Sequence, residues 1–425
     1  MEITREDIDR VAEIMGKDFS DTERTDVIQC MDCCDVSACP GSGKTTTMVA
    51  KLLILSEKLA GTMTGICALS HTNAAKYEIE KILGPHSGAL MRHPHFVGTI
   101  QVFTDMFLAI PAYIEEFGRR PVAIDDELYE NVAKRYYPRI QWKIRFALDR
   151  HTRNAGQELF CNTSYGFSNF ELVNFDSNRE TAFYCQTTTQ TYREVLRWKQ
   201  ELTSLGYLTY HDAFSYANRY IRKYPNFTTI ISNRFSYVFI DEMQDTDTYQ
   251  NELIETIFRG RSTIQKFGDP NQTIYGLRSQ GGEPIWRPQG NHFIRSSRRL
   301  SPSISRLSQG ICSQSHEIRG NDQIPNHSHT VILFDQRRRE DVIPRFGQII
   351  EDEQLREGPF KALGAIGRPN QNPDLLSITS YWPSFQRRLQ QNRDNNPFWG
   401  LVHQAHYAIN LTNKYSDAYQ LLSRA

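Results

Sequence analysis

No apolar run in the 425-residue chain approaches the ~18 residues of a membrane-spanning helix. The opening MEITREDIDR likewise lacks the apolar core of a secretory leader. The expectation is a soluble, cytoplasmic protein with no membrane partner. Charge of one sign is not in excess, since 49 Lys and Arg balance 49 Asp and Glu. That excludes a chain-wide polyanion-binding coat but leaves room for a local basic stripe. The 8 cysteines lack the regular placement of a disulfide framework and are expected as thiols. Cys30, Cys33, Cys34 and Cys39 cluster, which raises zinc. Cys39, however, falls in the glycine-containing loop described next, where a metal would obstruct the ligand, so the spacing argues against it. No short-period repeat and no low-complexity tail is present, which excludes solenoids.

What the chain does contain is length for two or three domains and one dominant stretch, Val36-Ser-Ala-Cys-Pro-Gly-Ser-Gly-Lys-Thr-Thr-Thr47. An apolar lead-in, two glycines, then Lys44 and Thr45 opening an apolar helical run have the grammar of strand, phosphate loop and helix. The backbone from Ala38 through Cys39, Pro40, Gly41, Ser42, Gly43, Lys44, Thr45 and Thr46 is expected to cradle phosphates, because only glycine lets successive N–H groups approach an anion so closely. Lys44 would reach the β- and γ-phosphates and the Thr45 hydroxyl would ligate Mg²⁺. Ala38 stands where the general pattern has its first glycine.

Around this stretch the chain alternates strand and helix patterns, so the fold class expected is α/β. Gly65–Ser70 reads as a strand with the polar tip His71, Thr72 and Asn73, and Phe96–Phe103 as another carrying Thr99 and Gln101. From about Pro111 to Thr209 the pattern turns to helices, interrupted by a polar stretch from Asn162 to Thr191. It reads as a mainly helical insertion between two halves of one sheet. Phe235–Ile240 then ends in Asp241 and Glu242, two carboxylates suited to holding Mg²⁺ and deprotonating an attacking water. Ile264–Gly268 leads to Gln272, placed to sense a γ-phosphate. A second sheet is expected from about residue 290, with strands at Val331–Phe334 and Phe360–Ile366 around a helix bearing Val342, Ile343, Phe346, Ile349 and Ile350.

The ordered segments ACPGSGKTT, SHTNAA, GTIQVF, FIDEMQDT, GDPNQTIYGLR and RRLSPSI resemble superfamily-1 helicases of the UvrD/Rep type. The resemblance implies P-loop RecA-like parallel-sheet domains: residues 1–110 and 210–289 as the two parts of the first, 111–209 as the inserted, mainly helical 1B-like subdomain, and 290–425 as a second, 2A-like domain that is short or incomplete. It implies hydrolysis of ATP or another NTP with Mg²⁺, held by Thr45 and Asp241, and 3′–5′ movement along DNA that is single-stranded or has single-stranded ends. Catalytic roles fall on Lys44, Thr45, Asp241, Glu242, Gln272 and Arg299, the last swung onto the γ-phosphate, and Gln244 and Asp245 are similar to coupling residues. DNA contacts fall on His71, Thr72, Asn73, Thr99, Gln101, Tyr275 as a stacking ring, and Arg278. His71 and Leu277 depart from the Phe and Trp usual in the family, which thins the stacking platform. Glu23 and Arg24 stand where the family has an adenine-reading glutamine, and Arg24 is taken as a nucleotide contact. No K-G-x-E segment and no arginine-bearing last motif follows residue 305. In wording, ACPGSGKTT, SHTNAA and GTIQVF with FLAIPAYIEEFG are most similar to the helicase subunit of Gabija-type antiphage systems, which implies a nuclease partner with ATPase and Toprim domains. The alternatives are a stand-alone repair helicase, and a subunit that senses nucleotide and DNA ends and signals to a nuclease without unwinding.

Overall fold

The computed structural model describes residues 1–71, 73–84, 87–176, 179–273, 286–290, 292–312, 317–355, 360–364 and 376–383, with the backbone alone for 73–76 and 78. They divide into two units, Met1–Asn326 and His327–Ala425. Helix α1 (Arg5–Met15) opens with a capping box at Thr4, and α2 (Thr22–Gln29) is capped by Asp21. Strand β1 (Cys34–Ala38) then runs into α3 (Lys44–Lys58), and β2 (Gly65–Ser70) into α4 (Asn73–Leu83). Strand β3 (Phe96–Thr99) follows. The insertion carries β4 (Ala123–Ile124), β5 (Thr163–Tyr165), β6 (Leu172–Asp176), β7 (Arg179–Ala182) and β8 (Tyr207–Leu208). The chain returns through β9 (Phe235–Ile240), β10 (Thr263–Gly268) and β11 (His292–Ile294).

Six of these strands form one sheet in the order β11-β1-β10-β9-β2-β3, and every pairing is parallel. The period of two in each strand divides its side chains between two cores. Ile66, Ala68 and Phe239 pack with Val36, Leu52 and Ile54 beneath α1–α3. Their neighbours Cys67, Leu69, Val238 and Ile240 pack with Phe103, Leu253 and Phe258 on the opposite face. All carboxyl ends therefore lie along one edge, where open α/β sheets bind ligands.

Residue 290 does not open a second sheet. Strand β11 hydrogen-bonds beside β1 through Val36↔His292 and Ala38↔Ile294 and so completes the first sheet. The short apolar pair Phe293 and Ile294 signals a strand but not which sheet receives it. In the second unit the expected helix forms over Val342–Asp352. Val331–Phe334 is not a strand, and Val331 and Leu333 are 80% and 91% exposed. With no neighbouring strand among the described residues, an apolar run of this length has no ladder to join. Residues 360–364 are likewise without strand structure, and 365–366 lie outside the described residues.

The insertion is less helical than its composition suggests. Helices Asp126–Tyr136, Trp142–Thr152 and Gln190–Leu205 flank an antiparallel sheet β5-β6-β7 inside the polar stretch. The Asn, Thr and Ser residues of that stretch obscure the apolar alternation of its strands. A buried ion pair, Lys199 Nζ to Asp212 Oδ2 at 2.6 Å, anchors the subdomain. Asp212 also accepts the Tyr165 and Thr209 amides, so its lone pairs are satisfied.

Candidate nucleotide and nucleic-acid site

Gly41 and Gly43 adopt φ of 71° and 78°, the left-handed region that lets the loop after β1 curl without a Cβ penalty. A Cβ on Gly41 would lie 2.7 Å from Arg299 Cβ. Gly43 caps α3, so Lys44 and Thr45 form its first turn at the positive end of the helix dipole. Ser42 is buried, and its Oγ has no hydrogen-bond partner among the described residues. An orphaned buried hydroxyl beside free helix N–H groups is what a phosphate-accepting loop presents.

Strand β9 delivers the acids to this loop. Lys44 Nζ lies 2.6 Å from Asp241 Oδ1 and 2.8 Å from Glu242 Oε2. Burial pushes the Lys44 ammonium down, but the two carboxylates outweigh it and its pKa is raised. Thr45 Oγ1 donates to Asp241 Oδ2 at 3.1 Å. A hydroxyl and a carboxylate oxygen thus converge, and such hard oxygen donors fit Mg²⁺. Glu242 holds a left-handed backbone, φ 54° and ψ 44°, an uncommon conformation for a non-glycine residue.

A chain of hydrogen bonds leaves Glu242 for the next strand. Gln244 Nε2 donates to Glu242 Oε2 at 2.6 Å, and Gln244 Oε1 accepts the Asp269 amide at 3.1 Å. Asp269 Oδ2 in turn accepts from Gln272 Nε2 at 2.8 Å. Lys44, Glu242, Gln244, Asp269 and Gln272 form one polar line across the carboxyl edge of β1, β9 and β10.

The segment after β11 lies directly on the phosphate loop. Cys39 N donates to Ile294 O at 2.9 Å and Arg298 N to Gly41 O at 2.9 Å. Ser297 Oγ donates to Pro40 O at 2.8 Å. Burial raises the Cys39 thiol to about 12, so it stays neutral beside the loop.

The family model of the UvrD/REP helicase N-terminal domain matches residues 21–284. The chain belongs to the UvrD/REP helicase family. It is similar to the ATP-dependent DNA helicase srs2 of Schizosaccharomyces pombe, 26% identical over 309 residues, which covers 66% of this chain and 33% of srs2. With the ATP-dependent DNA helicase PcrA of Staphylococcus epidermidis it shares 22% identity over 262 residues, 57% of this chain and 32% of PcrA. A shorter stretch of 53 residues is 47% identical to the RecBCD enzyme subunit RecB of Mycolicibacterium smegmatis, 12% of this chain and 5% of RecB. The chain thus spans about a third of the length of the srs2 and PcrA helicases it matches.

Within this UvrD/REP chain, Arg24 serves the loop from behind. Its guanidinium is buried and donates to Ser42 O at 3.0 Å, Asp21 Oδ2 at 2.8 Å, and Ser296 Oγ and O at 3.1 and 2.8 Å. Those bonds engage the whole fork, so the structure places Arg24 as a clamp on loop backbone. Glu23 accepts from the Arg295 and Ser296 amides at 3.0 and 3.1 Å. The three arginines separate: Arg295 covers the Phe293 ring, Arg298 reaches Asp21, and Arg299 is exposed against Gly41.

The ends of β2 and β3 are neighbours, through Ser70↔Thr99. β3 stops at Thr99, whose Oγ1 accepts the Val102 amide at 3.1 Å and caps a helix that begins at Ile100. Gln101 therefore sits in a first helical turn, not in a strand, and donates to Asp105 Oδ1 at 2.7 Å. Burial lowers the His71 pKa, opposed by the Asp245 carboxylate. Thr72, the Asn73 side chain, Tyr275, Leu277 and Arg278 lie outside the described residues. The reading from sequence missed the partners that pin the loop, Glu23, Ser296 and Ser297. Ser296 and Ser297 are visible before the arginines, but their contacts with residues more than 250 positions away carry no local signal.

Among the described residues no helix is long and apolar enough to cross a membrane.

Proposed function

We propose that this chain hydrolyses ATP or another NTP in response to single-stranded DNA, as the motor of a 3′–5′ DNA helicase. The observation that carries it is Lys44 held between Asp241 and Glu242 with a polar line on to Gln272. Lys44 exchanges its carboxylate partners for the β- and γ-phosphate oxygens as the triphosphate enters. Glu242, released, accepts a proton from the water whose oxygen bonds to the γ-phosphorus while the bond to the β-phosphate oxygen breaks. Mg²⁺, when held by Thr45 and Asp241, neutralises charge on the phosphates. Gln272 registers the γ-phosphate, and Gln244 and Asp269 pass that state across the edge. Arg299, lying against Gly41, stabilises charge on the transferring group. His71, Thr99 and Gln101, at the neighbouring ends of β2 and β3, contact the DNA strand, a role the family resemblance extends to Thr72, Asn73, Tyr275 and Arg278.

The test is phosphate release with and without single-stranded DNA. The Lys44→Ala variant should lose stimulated turnover while keeping its melting temperature within a few degrees, and unchanged turnover would remove the loop from the chemistry. The finer reading is the helicase subunit of a Gabija-type antiphage complex with a nuclease partner. It is supported by the wording of ACPGSGKTT, SHTNAA, GTIQVF and FLAIPAYIEEFG. Recovery of a Toprim-containing nuclease on co-purification from native cells supports it, and recovery of the chain alone favours a stand-alone helicase. If hydrolysis does not rise with strand length, the chain senses DNA ends without translocating.

A further inference from the structure

The cysteine cluster that the sequence set aside is partly rebuilt by the fold. Cys30, Cys34 and His292 each offer a ligand atom, and all three atoms lie within 4.8 Å of one another. Cys30 is the C-cap of α2, Cys34 opens β1 and His292 opens β11. The register explains the meeting: Val36 pairs with His292, and Cys34, two residues earlier, shares Val36's face. The other two cysteines are elsewhere. Cys33 faces Ser262 and Ile264 on β10's side, and Cys39 bonds Arg295 O at the far end of β1. Four residues of strand separate Cys34 from Ala38, about 13 Å at ~3.3 Å per residue. The cluster therefore sits on the sheet edge opposite the phosphate loop, and the objection that a metal would block nucleotide falls away.

We propose that Cys30, Cys34 and His292 bind Zn²⁺. Two thiolates and an imidazole are the donor set this borderline-soft ion takes, and a tetrahedral site with bonds of ~2.3 Å to sulfur and ~2.0 Å to nitrogen spaces its ligand atoms about 3.3–3.8 Å apart. The present spacing closes onto that geometry with movements of about 1 Å. The surroundings are already fixed. Gln265, cross-strand from Cys34, is buried and donates from Nε2 to Cys30 O at 2.9 Å and Asp32 O at 2.8 Å, with Cys30 Sγ at 3.9 Å. Gln265 Oε1 has no hydrogen-bond partner among the described residues, and it offers an acceptor to the water that completes the tetrahedron. Lys51, buried in α3, donates to Val27 O at 2.9 Å and also to Cys30 O, holding the turn that carries Cys30. A bound zinc ties the α2–β1 turn to edge strand β11, the strand that leads straight into the segment lying on the phosphate loop. The ion has a structural role here and takes no part in hydrolysis.

The experiment uses the full chain. Native protein purified without chelator should carry one zinc per chain by elemental analysis. The stripped protein titrated with Co²⁺ should develop the intense visible bands of a tetrahedral ion and thiolate-to-cobalt absorption in the near ultraviolet, saturating at one equivalent. Cys34→Ser and His292→Asn should lose these signals, Cys33→Ser should keep them, and Gln265→Leu should weaken binding by about 10–100-fold. The wild-type cobalt spectrum needs no variant to fold, so it decides the matter first. An octahedral or absent cobalt signal overturns the proposal, as does equal loss in Cys33→Ser and Cys34→Ser, or a Cys30–Cys34 disulfide in metal-free native protein.

Discussion

Glu242 turns back on Lys44: the left-handed backbone at Glu242 aims its carboxylate so that Oε2 lies 2.8 Å from Lys44 Nζ. A non-glycine residue in that region costs of order 1–3 kcal/mol, which the fold bears to keep the acid at the loop. The Glu242→Gln variant should bind nucleotide as tightly as the parent and lose hydrolysis by about 10²–10⁴-fold, read by equilibrium binding beside single-turnover phosphate release. A variant that hydrolyses normally would assign the proton elsewhere.

Gln244 is the joint between two strands, giving Nε2 to Glu242 and taking the Asp269 amide. Gln244→Ala removes the side-chain acceptor of the buried Asp269 N–H, a loss of about 1 kcal/mol. Basal hydrolysis should fall modestly and the DNA-stimulated part should fall further, so the ratio of stimulated to basal kcat shrinks. If both rates drop by one factor, the line through Gln244 is scaffolding without coupling.

For Arg24 the prediction separates a clamp from a nucleotide reader. Lysine keeps the charge but cannot serve Ser42 O, Asp21 and Ser296 together. Arg24→Lys should raise KM for every nucleotide by about tenfold, equivalent to ~1.4 kcal/mol, and leave the preference among ATP, GTP and CTP unchanged. A changed preference would return Arg24 to the base.

Burial raises Asp105 and Asp247 each from 3.8 to about 7. Unfolded, both carboxyls ionise near 3.8, so between that pH and about 7 the native state binds more protons than the unfolded chain. The stability these two groups contribute should therefore decline as pH rises through this window and level off above 7. Denaturant titrations at pH 5 and pH 7.5 measure the decline, and Asp105→Asn should reduce it by about 1 kcal/mol or more. A pH dependence that Asp105→Asn leaves unchanged contradicts the burial argument.

The sheet and its loop were legible in the sequence because each is encoded locally. The glycines at 41 and 43, the apolar run Phe235–Ile240 ending in Asp241 and Glu242, and the short, wholly buried run of β2 name their own conformations. The lone departure along these strands, Gln101 in a helix, follows from Thr99 acting as a cap, a choice that a β-branched run hides. What sequence could not give was assignment across distance. Nothing near His292 says that it pairs with Val36 rather than with a new sheet, and nothing near Arg24 says that Ser296 and Ser42 will take its donors. The antiparallel sheet at Thr163–Ala182 was concealed for another reason: its strands are short, and they carry the Thr, Ser and Asn that elsewhere mark loops, with Thr163 and Ser164 buried.

The insertion leaves and re-enters the main body at one seam, where Ala123–Ile124 and Tyr207–Leu208 run side by side and Ala123 N donates to Gly206 O at 3.0 Å. The segment from Asp125 to Gly206 has its own core around Tyr129, Leu148 and Trp198, and it also lends Tyr165 and Phe167 to the cores of the main body. Replacing it whole would therefore strip Phe167 from the core that holds Val238 and Ile240, and Tyr165 from its place against Tyr216. An engineer who cut at the seam would have to refill both places before the same sheet could carry a different attachment.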